Sequence, residues 1–277
     1  MEKCNNSKIV PWLWDFKNEL LRDRVHEAND YDNAIKRIFE WYINDGKYNL
    51  GETENTHLAK CIYSVLWDIP MSYLDDSSLR LLDIDVMNSF WTIYQHAITL
   101  EFSDPGTKWY RGKINKGTFN HLLEKYEDYV EVNEKTDKYG DIKKFAQLTH
   151  TIGNFTLEPK FWNAGRYKST KDFWDSTLYF LKAMEVIGFN YKSYVQKFFK
   201  QGYCDKSNGY EPIPLWEGCN LPRAIKPPID KIEHFISNAN RIIEQRGKFM
   251  VKRLCEKLDM QDLTFYSEKN LCNLSLD

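Results

Sequence analysis

The stretch that most narrows what this chain can fold into is Thr149-His150-Thr151-Ile152-Gly153-Asn154-Phe155-Thr156-Leu157-Glu158-Pro159. Ile152, Phe155 and Leu157 surround Gly153 and Asn154, which reads as a short extended segment. Strict alternation puts Ile152 and Asn154 on one face, and Phe155 and Leu157 on the other. A glycine inside such a pattern marks a bulge or a close backbone approach. Pro159 ends the pairing, because it has no backbone N–H to donate. A polar loop follows, Phe161-Trp162-Asn163-Ala164-Gly165-Arg166-Tyr167, and then a helix start. Ser169-Thr170-Lys171-Asp172 has the pattern of a capping box with Asp in place of Glu. Trp174, Leu178, Leu181 and Glu185 keep helical spacing, as do Phe173, Thr177, Phe180 and Met184. A helix apolar over so much of its circumference is expected to be central.

The junction of strand, polar loop and helix start has the chemistry of an anion site. A helix N-terminus offers free backbone donors and a partial positive charge. Arg166 adds a planar fork suited to carboxylate or phosphate. His150 is the one histidine of six that falls beside this junction, and its ordinary pKa suits acid–base work. Asp175 follows in the first turns of the helix, where it can hold Arg166 or orient His150. The expectation is that His150, Asn154, Asn163, Arg166 and Asp175 converge, with His150 the candidate catalytic group and the others binding a ligand. The plainer alternative makes Asn163 a turn residue and pairs Arg166 with an acidic neighbour.

Two resemblances attach to these residues. The segments HTIGNFTLEP, NAGRY and FWDSTLYFLK are similar to the core of a bacterial and phage family of uncharacterised proteins. In that family a T-I-G-[GN] segment precedes an N-x-x-R loop and a D-x-T-L helix. Leu66-Trp67-Asp68-Ile69-Pro70, Phe102-Ser103-Asp104 and Asn238-Ala239-Asn240-Arg241-Ile242 agree loosely, so the resemblance spans most of the chain, and it adds Asp104 as a candidate pocket wall. Ser103-Asp104-Pro105 also reads simply as a turn. The family implies no activity. More locally, Ile152-Gly153-Asn154-Phe155-Thr156-Leu157 resembles the I-G-N-L-T-L-L segment of HNH-type nuclease domains, with Asn163 where a later Asn is expected. Those nucleases need an upstream His-rich hairpin, usually ending in Pro, and no His-x-x-Pro occurs here. Trp109-Tyr110-Arg111-Gly112 is similar to the Phe-Arg-Gly motif of some defence-associated proteins.

The rest of the chain reads as one mostly helical domain over residues 1–277. Its helical N-terminal part is expected at 11–130, with helices near 11–25, 32–43, 56–66 and 85–100. The central strand–loop–helix takes 141–186. Residues 68–83 read as an irregular connection, and 202–228, rich in Pro and Gly, as a long ordered loop. The longest helix is expected over 229–258, with Ile232, Phe235, Ile236, Ala239, Ile242 and Ile243 as its core face. The fold class is therefore α+β and predominantly α-helical. A small sheet forms around the central segment, with strand partners expected at 109–114 and 126–132.

Composition supports a sizeable core, at 42% hydrophobic residues in 277. A net charge of -2 gives no global field that favours nucleic acid. On the last helix, Lys248, Lys252, Arg253 and Lys257 form a basic run. Glu244, Glu256 and Asp259 dilute it, so a solvated face is expected rather than a phosphate-binding one. The six cysteines, Cys4, Cys61, Cys204, Cys219, Cys255 and Cys272, form no C-x-x-C pair, and no metal site is expected. The opening MEKCNNSKIVPW lacks a signal-peptide core, and no apolar run approaches the roughly 20 residues of a membrane helix. The expectation is a cytoplasmic protein with free thiols and no membrane partner. Cofactor, oligomeric state and reaction are not legible.

Two functions fit. One is a binding or regulatory protein, of bacterial or phage origin by resemblance, acting in phage–host conflict on an anionic small molecule or nucleic acid phosphate. The other is a divergent HNH-like nuclease or phosphodiesterase using His150, Asn154 and Arg166.

Overall fold

The structure is a computed structural model that describes residues 54, 57–75, 82–88, 144–145, 148, 151–160, 174–216, 231–263, 266–267, 269 and 271–276. Helices dominate these residues, with two small antiparallel sheets. The fold is thus α+β and helix-rich. Among the described residues no helix is long and apolar enough to cross a membrane.

The mast of the fold is α5, Ile232–Lys257, which is 26 residues long. The expected core face at Ile232, Phe235, Ile236, Ala239, Ile242 and Ile243 is buried, and the burial continues through Met250, Val251, Leu254 and Cys255. Helix α1, His57–Trp67, packs against it. It buries Ala59, Ile62, Tyr63, Leu66 and Trp67, the i, i+3, i+4 stripe that makes a helix amphipathic. Asp68 ends α1 in the left-handed region at φ 53°, and Pro70, with no N–H to continue α1, stands at the start of the next helix. A short helix α2, Met71–Asp75, leads toward β1, Leu82–Val86.

Strand β1 departs from the expected organisation. Spacing alone predicts a helix from residue 85 onward and irregular chain over 68–83. Asp85 and Val86 instead complete a strand whose pattern is period two, with Leu82, Ile84 and Val86 alternating against Asp83 and Asp85. This strand pairs antiparallel with β2, Phe155–Pro159, in the register Leu82↔Pro159, Ile84↔Leu157, Val86↔Phe155. Opposed residues share a face. One side of the sheet is therefore apolar, and the other carries Asp83, Asp85, Thr156 and Glu158. The strands expected at 109–114 and 126–132 lie outside the described residues.

The extended segment also starts later than alternation suggests. Ile152–Asn154 forms a 3-10 turn, and the strand proper begins at Phe155. All five residues of β2 are buried. Glycine at 153 has the expected cause, a close backbone approach. A Cβ there would overlap the Ile243 carbonyl oxygen and stand 2.8 Å from Gly247 N and 2.9 Å from Gly247 Cα. The missing side chain of Gly153 thus lets the turn lie directly on the backbone of α5 at Ile243 and Gly247.

Helix α3, Trp174–Ala183, runs into a 3-10 turn, Met184–Ile187, that ends at Gly188 with φ 92°. Among its described side chains Thr177, Leu178 and Leu181 are buried and Phe180 is partly exposed, so one stripe of the helix meets the core, while Val186 and Ile187 in the turn beyond it are 89% and 75% exposed. Helix α4, Tyr191–Lys197, is capped by Asn190, whose side chain accepts from Ser193 N at 3.0 Å. The Pro- and Gly-rich stretch beyond it contains more order than a loop. Cys204–Asp205 (β3) and Glu211–Pro212 (β4) pair as a small hairpin.

Replacing Gly153 with Ala should lower the unfolding free energy by about 3 kcal/mol or more, since backbone rather than a flexible side chain blocks the new methyl. Gly202→Ala is the control. Its Cβ would meet only Ile242 Cγ2 at 3.4 Å, and its effect should stay within about 1 kcal/mol. Urea unfolding of the two variants measures the difference.

Candidate functional site

The central turn and strand are held by polar groups that reach them from three directions. From α5 comes Arg246, whose side chain is essentially inaccessible to solvent. Its Nη1 donates to the carbonyls of Gly153 at 2.7 Å and Phe155 at 2.6 Å. Its Nε donates to Phe199 O at 2.9 Å and its Nη2 to Phe198 O at 3.0 Å. Phe199 adopts φ 54°, a left-handed conformation that a bulky residue enters at a cost of roughly 1–2 kcal/mol. Burial pulls the Arg246 guanidinium down to about 10, which still leaves it charged at neutral pH. Its bonded partners are four carbonyls and no carboxylate among the described residues.

From β1 comes the backbone of Asn88. Asn154, fully buried, accepts from Asn88 N through Oδ1 at 3.0 Å and donates to Asn88 O through Nδ2 at 2.9 Å. Its own carbonyl accepts from Met87 N at 2.7 Å. The side-chain amide thus acts as an extra peptide unit that lengthens the β1–β2 ladder by one residue. The Asn88 side chain continues the network, with Nδ2 donating to the Tyr203 hydroxyl at 3.0 Å.

From the end of α4 comes Lys200, also fully buried. Its ammonium donates to Thr156 Oγ1 and lies 5.3 Å from the centre of the Tyr194 ring. The Tyr194 hydroxyl donates to Leu157 O at 3.3 Å. Next to this group, Tyr191 Oη and Cys204 Sγ are 3.3 Å apart. Burial pushes the Cys204 thiol up to about 12 and the Tyr191 phenol well above its usual range.

Among the sequence-predicted site residues, Asn154 is the one whose side chain the structure describes, and it is bound to Asn88 rather than open to a ligand. Asp175 falls in the first turn of α3, with its side chain outside the described residues. His150, Asn163, Arg166 and Asp104 lie outside them as well, so the expected convergence rests on sequence. The basic run on α5 is engaged by the protein itself. Lys248 pairs with Glu244 at 2.8 Å, Arg253 with Glu256 at 2.5 Å and Lys257 with Asp68 at 2.6 Å. Lys252 donates to the carbonyls of Cys272 and Leu274 at 2.9 Å each. This agrees with the structural rather than the phosphate-binding reading of that face.

Sequence reasoning missed Arg246 and Lys200. Arg246 had a usable signal, since it falls on the same helical face as Ile243 and Met250, where a charge must find buried partners. Lys200 had none, because the chain turns away from helix geometry just before it. Among the described residues no group of three or more His, Cys, Asp or Glu side chains is placed to hold a metal ion.

Arg246→Lys keeps the charge but cannot span four carbonyls, and it should cost about 3 kcal/mol or more through buried acceptors left without donors. Urea unfolding reads this directly. Cys204 gives a pH prediction with a definite sign. The unfolded thiol ionises at its ordinary value of 9.0 and the folded one at about 12. The stability this adds is complete below pH 9 and lost as pH rises toward 12. The midpoint of urea unfolding should therefore fall through this window, less steeply in Cys204→Ala. No protein-family model, no curated protein and no solved structure matches the chain.

Proposed function

We propose that this chain is a binding or regulatory protein, and that it takes an anionic ligand where residues 161–173 lead into α3. A small anion or a nucleic acid phosphate would suit Arg166, Asn163 and the donors of a helix start. The observation that carries the preference for binding over catalysis is the commitment of the central segment to the fold. Asn154 is bonded to Asn88, Thr156 to Lys200, and the Gly153 and Phe155 carbonyls to Arg246. The side chains that an I-G-N-F-T-L nuclease segment would bring to a substrate are thus used inside the protein. The resemblance to bacterial and phage proteins supports a cytoplasmic role in phage–host conflict.

A second reading, a divergent nuclease or phosphodiesterase using His150, Asn154 and Arg166, is supported by the resemblance of Ile152-Gly153-Asn154-Phe155-Thr156-Leu157 to a segment of HNH-type nuclease domains.

Calorimetric titration of the purified protein with inorganic phosphate, and separately with a short single-stranded oligonucleotide, tests the first reading. Binding is expected with one of them. Arg166→Ala should weaken it by about 1–3 kcal/mol, and Arg166→Lys by a smaller amount, with unfolding midpoints unchanged. Absence of binding to both overturns the anion reading. A divalent metal retained through purification, with metal-dependent cleavage of the oligonucleotide, establishes the nuclease instead.

A further inference from the structure

The tip of the β3–β4 hairpin carries the one Asn-Gly pair in the sequence, Asn208-Gly209. Asn208 closes a short 3-10 turn, Lys206–Asn208, which starts from Asp205, whose carboxylate accepts from Ser207 N at 2.9 Å and from Ser207 Oγ at 2.6 Å. Both Asn208 and Gly209 are exposed. Gly209 has φ 62°, and a Cβ built on it would meet nothing within 4 Å, so the space around this peptide is open.

We propose that Asn208 is a site of spontaneous covalent modification, converting through a cyclic imide to aspartate and isoaspartate. The nucleophile is the backbone nitrogen of Gly209 after loss of its proton, and the electrophile is Cγ of Asn208. The N–Cγ bond forms, the Cγ–Nδ2 bond breaks, and the amide nitrogen leaves as ammonia. Water then opens the ring. Attack on the side-chain carbonyl returns a normal aspartate, and attack on the main-chain carbonyl gives isoaspartate. The sum is amide plus water to acid plus ammonia, with no oxidant or cofactor.

Three features favour this asparagine over the others. Its neighbour has no Cβ to crowd the five-membered ring. Its side chain faces solvent, so water is at hand. The strands flanking the turn are two residues each, Cys204–Asp205 and Glu211–Pro212, so the backbone can reorient for attack without opening a long ladder. The product has structural consequences. A new carboxylate appears in the same turn as Asp205, and isoaspartate adds a methylene to the main chain. The Gly209 carbonyl, which accepts from Lys182 Nζ at 3.3 Å, is then displaced, although Lys182 keeps Glu211 at 2.6 Å.

Incubating the full chain at mildly alkaline pH, followed by peptide mass mapping and isoaspartate-specific methyl labelling, tests the proposal. The peptide containing Asn208 should show the largest converted fraction of any asparagine peptide. That fraction should rise with pH, because the attacking nitrogen must lose its proton. Methyl label at this peptide should vanish in Asn208→Ser. An unconverted 206–212 peptide, or conversion no greater there than at other asparagines, overturns the proposal.

Discussion

The guanidinium of Arg246 joins segments of chain that share no local sequence. Its donors reach Gly153 and Phe155 on one side and Phe198 and Phe199 on the other. Taking such a cation out of water costs several kcal/mol. Charge-assisted bonds of roughly 1.5–3 kcal/mol each, made to four carbonyls, are of the size needed to offset that. The arrangement works only at short range. Gly153 and Gly247 carry no side chains at the crossing, so the turn sits on the helix backbone within reach of a residue one position away. Phe199 turns its carbonyl inward by taking a left-handed backbone. The glycine contact and the left-handed Phe199 both bring carbonyls within reach of the buried arginine.

The same economy governs the polar side chains. An amide at position 154 would be expensive in a dry core, yet it replaces a peptide group that the 3-10 turn has taken out of the ladder. Lys200 is equally buried. Its ammonium donates to the Thr156 hydroxyl and faces the Tyr194 ring, contacts that help hold the charge in the core. Around these groups stand the rings of Tyr63, Trp67, Phe155 and Phe198. Tyr63 stacks on Trp67 at 5.2 Å, and Trp67 meets Phe198 edge-on at 5.4 Å. The rings lower the local dielectric, which strengthens each satisfied hydrogen bond and penalises any that is broken.

What could be read from sequence follows from how local each determinant is. Helices α1 and α5 were legible because an i, i+3, i+4 stripe needs only a dozen consecutive residues. Gly153 was legible because glycine in a strand-like run has few explanations. Strand β1 was not, since five residues alternating with aspartates fit equally well as the opening turn of a longer helical pattern through Phe90, Ile93 and Tyr94. In helix α3 apolar residues around the circumference suggest burial on all sides, whereas Leu178 and Leu181 are buried and Phe180 is partly exposed. For the candidate site the gap is wider. The environment of Asn154 is set by Asn88, and that of Gly153 by Arg246, both far away in the chain. An asparagine beside a glycine in a polar stretch reads as a ligand group until its distant partner is known.

That point bears on what a short motif match means. Each letter of Ile152-Gly153-Asn154-Phe155-Thr156-Leu157 has a physical cause within this fold. Ile152, Phe155 and Leu157 fill the core, Gly153 admits the backbone of α5, Asn154 extends the ladder and Thr156 receives Lys200. A turn entering a buried strand beside a helix places such demands whatever the protein does. Five identical residues in a run of six can therefore reflect a shared way of seating a strand rather than shared chemistry. The I-G-N-F-T-L match therefore carries little weight for function, and the anion reading rests instead on the arginine-bearing loop that precedes α3 in the sequence.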